Sequence, residues 1–156
     1  MSEALRLDNQ LCFALHAASR AMTAAYQPLL EKLELTYPQY LVLMVLWEED
    51  GARVSRIGER LYLDSATLTP LLKRLEARGI VERRRNAEDE RVVEIFLTPA
   101  GKKLEKKALS VAEGVFCKMQ ISLPELGRLR VELKGLTKKL QSDSSSPRAG
   151  LAHEPS

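Results

Sequence analysis

The stretch that most constrains this chain runs from Val54 to Gly101, VSRIGERLYLDSATLTPLLKRLEARGIVERRRNAEDERVVEIFLTPAG. Its hydrophobic period changes from 3.6 to 2 partway along, so helices must give way to a small sheet inside one short segment. Ile57 and Leu61 lie four apart on one face of a first helix, which Ser55 can cap. Tyr62-Leu63-Asp64 reads as a turn, and Asp64 or Ser65 caps a longer helix. Leu68, Leu71, Leu72 and Leu75 form the buried stripe of that helix, and Gly79 ends it. The opposite face carries Ser65, Thr67, Thr69, Lys73 and Arg74, small hydrogen-bonding groups followed by cations.

Beyond Gly79, Val81 and the run Arg83-Arg84-Arg85 lead into a charged tip, Asn86 to Glu90. Arg91 then starts a second strand, in which Val93, Ile95 and Leu97 alternate with Val92, Glu94 and Phe96. Two helices about a tight turn, followed by a basic hairpin, make a winged helix-turn-helix. Its second helix has the chemistry needed in a major groove. The plain alternative is a helical hairpin and a ribbon with solvated charges. Helix spacing, groove-facing chemistry and the basic wing agree on DNA binding.

These residues also resemble a known family. The segments RLYLDSATLTPLLKRLEARGIVERRR and DERVVEIFLTPAG are similar to the winged-helix core of MarR-family repressors. LDNQLCFAL near the front and LTYPQYLVLMVLW after it resemble the organic-hydroperoxide-sensing branch, OhrR. The resemblance covers roughly residues 7–140. It implies a mainly α fold with a small β-wing: a winged helix-turn-helix lobe over about 36–98, with dimerisation helices at about 7–33 and 98–141. The whole is expected to be a single domain, residues 1–141, without a cofactor.

A length of 156 residues and 45% apolar content suit one aliphatic, helical core. A formal charge of +3 is too mild to argue for nucleic acid by itself, so the DNA reading rests on where the arginines sit. No apolar run reaches the roughly 18 residues of a membrane span, and no signal pattern opens the chain. A cytoplasmic protein is expected, with its two cysteines normally reduced. Two histidines, His16 and His153, do not make a metal cluster.

Taken in order, a long helix is expected from about Leu7, with Leu11, Leu15, Ala18, Met22, Ala25 and Leu29 on one apolar face and Pro28 near its end. Cys12 sits at the margin of that stripe, where a small molecule could reach it. Periodicity alone leaves an inert small hydrophobe open. Thr36 caps a second helix, YPQYLVLMVLWEED, apolar nearly all round and stopped by Gly51, after which Val54 touches the wing sheet. Pro70 is an oddity in the recognition-type helix, costing ~3 kcal/mol in an isolated one. Thr98 and Pro99 open another long helix, whose Lys102, Lys103, Lys106 and Lys107 are either a solvated face or a phosphate contact. Cys117 again falls off its apolar stripe. Ser122, Pro124 and Glu125 start the last helix, and Leu126, Leu129, Leu133, Leu136 and Leu140 form a heptad seam suited to a second copy. Residues 142–156 have the composition of a disordered tail.

The resemblance assigns roles. Cys12 matches the redox-sensing thiol, and Cys117 of the other subunit matches the resolving thiol. Tyr26 and Tyr37, by periodicity simply rim residues, match tyrosines that hydrogen-bond the reactive sulfur. Phenolic donors favour the thiolate, the form that attacks a peroxide. Arg91, braced by Asp89, matches a residue inserted in the minor groove, beside a helix presenting Ser65, Thr67, Thr69, Lys73 and Arg74 and a wing base bearing Arg84 and Arg85. The expected function is that of a homodimeric repressor on a pseudo-palindromic operator, released by organic hydroperoxide through an intersubunit disulfide. Two rivals stand beside it: a MarR-type repressor released by a phenolic or aromatic ligand bound non-covalently, and a thiol peroxidase.

Overall fold

The computed structural model describes residues 3–144. The order of elements is α1 (Leu11–Glu31), α2 (Tyr37–Glu48), β1 (Ala52–Arg53), α3 (Val54–Leu61), α4 (Ser65–Ala77), β2 (Val81–Arg85), β3 (Val93–Leu97), α5 (Pro99–Met119) and α6 (Leu123–Ser144). The mainly α fold with a small β-wing is the one expected. The chain divides into two units, Met1–Lys118 and Met119–Ser156.

In the first unit α2 supplies the centre. Thr36 and Gln39 form a reciprocal capping box at its start, with bonds of 2.9 and 3.4 Å. Val42, Leu43 and Leu46 are fully enclosed, together with Ile57 of α3, Leu68, Leu72 and Leu75 of α4, and Ile95 of β3. Each such side chain contributes roughly 1.5–3 kcal/mol by leaving water. Leu71, expected in the same stripe, is only half-buried.

The helix-turn-helix is tight because Gly58 lets two segments meet. The Leu63 N–H donates to the Gly58 carbonyl at 2.9 Å, and a Cβ on Gly58 would lie 2.7 Å from the Leu63 carbonyl oxygen. The sheet runs β1-β3-β2, all antiparallel, with Ala52 opposite Ile95 and Arg83 opposite Ile95 from the other side.

Several expected boundaries move. The α-helix starts at Leu11 rather than Leu7, because Leu7–Asn9 is a 3-10 turn. There the Asn9 side chain donates to the Glu3 carbonyl at 3.0 Å, a local bond that competes with α-helical pairing. Ser55 does not cap α3. Arg53 is the N-cap, with no side-chain bond, because the chain enters the helix directly from its pairing with Glu94. The third strand is therefore Ala52–Arg53, and Val54 already belongs to α3. Arg91 lies in the wing turn and β3 starts at Val93, since Asp89 draws the backbone into a loop. Pro70 sits inside an uninterrupted α4.

The second unit carries α6. Ser122 and Glu125 cap it reciprocally, and the Ser122 hydroxyl at 2.7 Å, then its N–H at 2.9 Å, donate to the Glu125 carboxylate and hold it below its ordinary pKa. It runs to Ser144, past Gln141 where the composition changes. Leu129, Leu133 and Leu140 of the leucine seam are exposed; Leu126 and Leu136 are half-buried. The expected tail lies outside the described residues beyond 144.

Candidate functional site

The N-terminus of α4 is built by Asp64. Its carboxylate accepts the Thr67 N–H at 2.7 Å, and this bond, with the Thr67 hydroxyl next, lowers its pKa. Ser65, Thr67, Lys73 and Arg74 are all exposed, as a reading face requires. Thr69 differs: it is half-buried, and its hydroxyl donates to the Ser65 carbonyl at 2.7 Å. Pro70 removes the helical donor to the next carbonyl, that of Ala66.

In the wing, strand alternation separates the arginines. Arg83 and Arg85 pair with Ile95 and Val93, and all three arginines border a shallow groove of about 300 Å³ with Val93 and with Glu76 of α4. By strand alternation the Arg84 side chain belongs to the opposite face from those of Arg83 and Arg85. Its guanidinium sits 4.4 Å over the Phe96 ring and pairs with Glu82, so it is held by the wing itself. The tip is a ring of local bonds. The Asn86 side-chain oxygen accepts from Glu88 and Asp89 N–H, and its NH₂ donates to Glu94 at 2.7 Å. The Asp89 carboxylate accepts the Arg91 backbone N–H at 3.0 Å. Asp89 thus braces the backbone of Arg91 and leaves that residue exposed. Of the α5 lysines, Lys102 is spent on Asp50 at 2.9 Å, while Lys103, Lys106 and Lys107 are exposed.

Cys12 and Cys117 are both free thiols and both exposed. The shifted start of α1 puts Cys12 in the first helical turn, where the N-cap Gln10 offers no side-chain bond. The sulfur therefore lies at the electropositive end of a long helix. Tyr26 and Tyr37 meet face to tilted face, with ring centroids 4.8 Å apart, and Tyr40 extends the cluster at 5.8 Å from Tyr26. Burial, then the neighbouring phenols, raises the pKa of Tyr26; burial raises that of Tyr37. Both stay protonated donors. The structure does not bring them to their own Cys12: Tyr26 is fourteen residues further along the same helix, a rise of about 21 Å.

Sequence reasoning missed two tethers. Asp50 accepts the Leu97 N–H at 2.7 Å and pairs with Lys102, joining β3 and α5 to the end of α2. Arg78, just past α4, donates to the carbonyls of Glu34 and Leu33 across more than forty residues. Neither has a local sequence signal, since each partner is distant along the chain.

Among the described residues no helix is long and apolar enough to cross a membrane. A family model described as transcriptional regulator SarA/Rot matches residues 24–108. The organic hydroperoxide resistance transcriptional regulator of Bacillus subtilis is 48% identical over 87% of this chain and 92% of its own length. A structure of reduced AbfR bound to DNA is 39% identical and superposes with a TM-score of 0.72, covering 89% of this chain and 98% of that one. Disulfide-formed AbfR, also 39% identical, superposes at 0.61 over 86% and 95%. By the family match and this identity over nearly a whole regulator, the chain belongs to the MarR-type winged-helix transcriptional regulators, in the branch of the organic hydroperoxide regulator.

Proposed function

We propose that the protein is a homodimeric, DNA-binding repressor that senses organic hydroperoxides through Cys12. In this reading two copies of α4 enter successive major grooves of a pseudo-palindromic operator, with half-sites about one helical turn apart. Ser65, Thr67, Lys73 and Arg74 face the base edges and phosphates, and Arg85 and Arg91 flank them from the wing. Helices α1, α5 and α6 serve as the dimer platform, with Leu126, Leu129, Leu133, Leu136 and Leu140 as a seam between copies.

The observation that carries the sensor is the tyrosine pair. Two phenols, hydrogen-bond donors at neutral pH, stand together far from their own Cys12. They suit a sulfur supplied by the second copy. The chemistry then proceeds in two steps. The Cys12 thiolate attacks one peroxide oxygen; the O–O bond breaks, an alcohol leaves and a sulfenic acid remains. The thiol of Cys117 from the partner then attacks the Cys12 sulfur; an S–S bond forms and water leaves. The cross-link pulls on the platform and separates the two α4 helices from their grooves. The lower similarity of this chain to disulfide-formed than to reduced, DNA-bound AbfR supports a disulfide that changes shape.

The test is intact-mass analysis and a non-reducing gel after one equivalent of cumene hydroperoxide. Wild type should become a covalent dimer and lose DNA. Cys12→Ser should stay bound. Cys117→Ser should oxidise without cross-linking and over-oxidise at high peroxide. A Cys12→Ser protein that still leaves DNA in peroxide would refute the sensor and favour release by a non-covalent ligand. An oxidised wild type that runs as a monomer with one disulfide would place that bond within a chain.

A further inference from the structure

Helices α1 and α4 end in the same way. At α4 the Gly79 N–H bonds to the Glu76 carbonyl at 2.8 Å and the Ile80 N–H to that of Leu75 at 3.0 Å. At α1 the Glu34 N–H bonds to Glu31 at 2.9 Å and the Leu35 N–H to Leu30 at 3.0 Å. Gly79 and Glu34 are both left-handed, at φ 65° and 52°. Each end is thus closed by its own pair of backbone bonds. Arg78 is not needed to terminate α4, and its side chain reaches away to the other helix end. There the guanidinium donates to the carbonyls of Glu34 and Leu33 and approaches the Glu34 carboxylate at 3.4 Å. One cation therefore sits between two electronegative helix termini. The gripped loop has Tyr26 before it and Tyr37 directly after it, and Leu30 and Leu35 anchor its flanks in the core.

We propose that Arg78 is a positioning residue for DNA recognition, a latch that fixes the end of α4 to the α1–α2 loop and couples the tyrosine pair to DNA affinity. The inference rests on α4 being the recognition helix. The grip is on backbone carbonyls, so it registers where the loop is rather than which side chains it bears. The Glu34 carboxylate, 85% exposed, adds little. Coupling is reciprocal: if loop position sets DNA affinity, DNA binding must stiffen the loop.

The experiment uses full-length reduced protein and a duplex that the wild type selects from a random-sequence pool. Affinity, thermal stability and amide exchange at Leu33, Glu34 and Leu35 are measured for wild type, Arg78→Met, Arg78→Lys, Glu34→Ala and Lys73→Ala. Arg78→Met keeps the stem and removes the charge. It should weaken DNA binding on the order of tenfold, within the range usual for coupled sites. Arg78→Lys, which cannot fork two carbonyls, should fall between it and wild type. Glu34→Ala should bind nearly as wild type. DNA should slow loop exchange in wild type and not in Arg78→Met. No DNA-dependent change at the loop in wild type would overturn the latch, whatever the variants do. So would folded Arg78 variants with wild-type affinity and protection. Lys73→Ala separates the two levels. If it weakens binding and Arg78→Met does not, only the latch falls. If neither does, α4 is not the recognition helix and both readings fall.

Discussion

If the phenols of one chain serve the sulfur of the other, they can be separated genetically. Cys12 and Tyr26 lie about 21 Å apart along α1, and a hydrogen bond reaches only about 3 Å. Tyr37, with its ring 4.8 Å from that of Tyr26, is confined to the same distant end. A hydrogen bond to a charged group is worth roughly 1.5 kcal/mol or more, about tenfold in rate when it is made to the attacking anion. Replacing Tyr26 and Tyr37 together by Phe keeps the ring packing and should slow oxidation of Cys12 by roughly tenfold or more, since the lost stabilisation of the anion is partly offset by its greater nucleophilicity. The decisive species are mixed dimers, made by co-expression with two different tags. In one, the chain with Cys12 carries both Tyr→Phe changes and its partner is Cys12→Ser with intact tyrosines. That thiol should react with cumene hydroperoxide at the wild-type rate per site, read by rapid quench and intact mass. In the other, the chain with Cys12 keeps its own tyrosines and the Cys12→Ser partner carries the Phe pair. That thiol should be slow. A rate that follows the chain's own tyrosines, or ignores them, would refute the reasoning.

Three further outcomes follow. Arg91→Ala should weaken DNA binding and flatten its salt dependence by about one unit of slope, seen by titration at several salt concentrations. An unchanged slope would remove the wing from the interface. Leu133→Asp puts a charge in the α6 seam and should convert a dimer to monomers in ultracentrifugation, with loss of DNA binding. A wild type that is already monomeric at micromolar concentration would contradict the seam. At Asp50, burial pushes the carboxyl pKa up, but the Leu97 N–H, Lys102 and the Gly51 N–H together hold it below the ordinary value. A depressed native pKa means stability that is present above the unfolded value near 4 and is lost as pH falls through the native one. Asp50→Asn should therefore flatten the acid limb of the melting temperature against pH.

The local pattern of this chain determined most of its elements. The switch in period after Gly79 set the helix-turn-helix and wing, because side-chain spacing alone decides whether a segment has one apolar face as a helix or as a strand. Capping at Thr36, Asp64, Thr98 and Ser122 was equally legible, since each cap bonds within three residues of itself. Tertiary structure decided what depends on partners far along the chain. Three adjacent arginines look alike in sequence, but the pleat and the Phe96 ring set Arg84 apart from Arg83 and Arg85. The start of α1 moved to Leu11 because polar side chains of the first turn found backbone partners there, which changed the setting of Cys12. The tyrosine cluster and the grip of Arg78 on Leu33 and Glu34 carry no local signal at all. Both depend on the core: Tyr26 and Tyr37 pack against it, and Leu30, Leu35, Leu75 and Ile80 within it bring the ends of α1 and α4, more than forty residues apart, to one place.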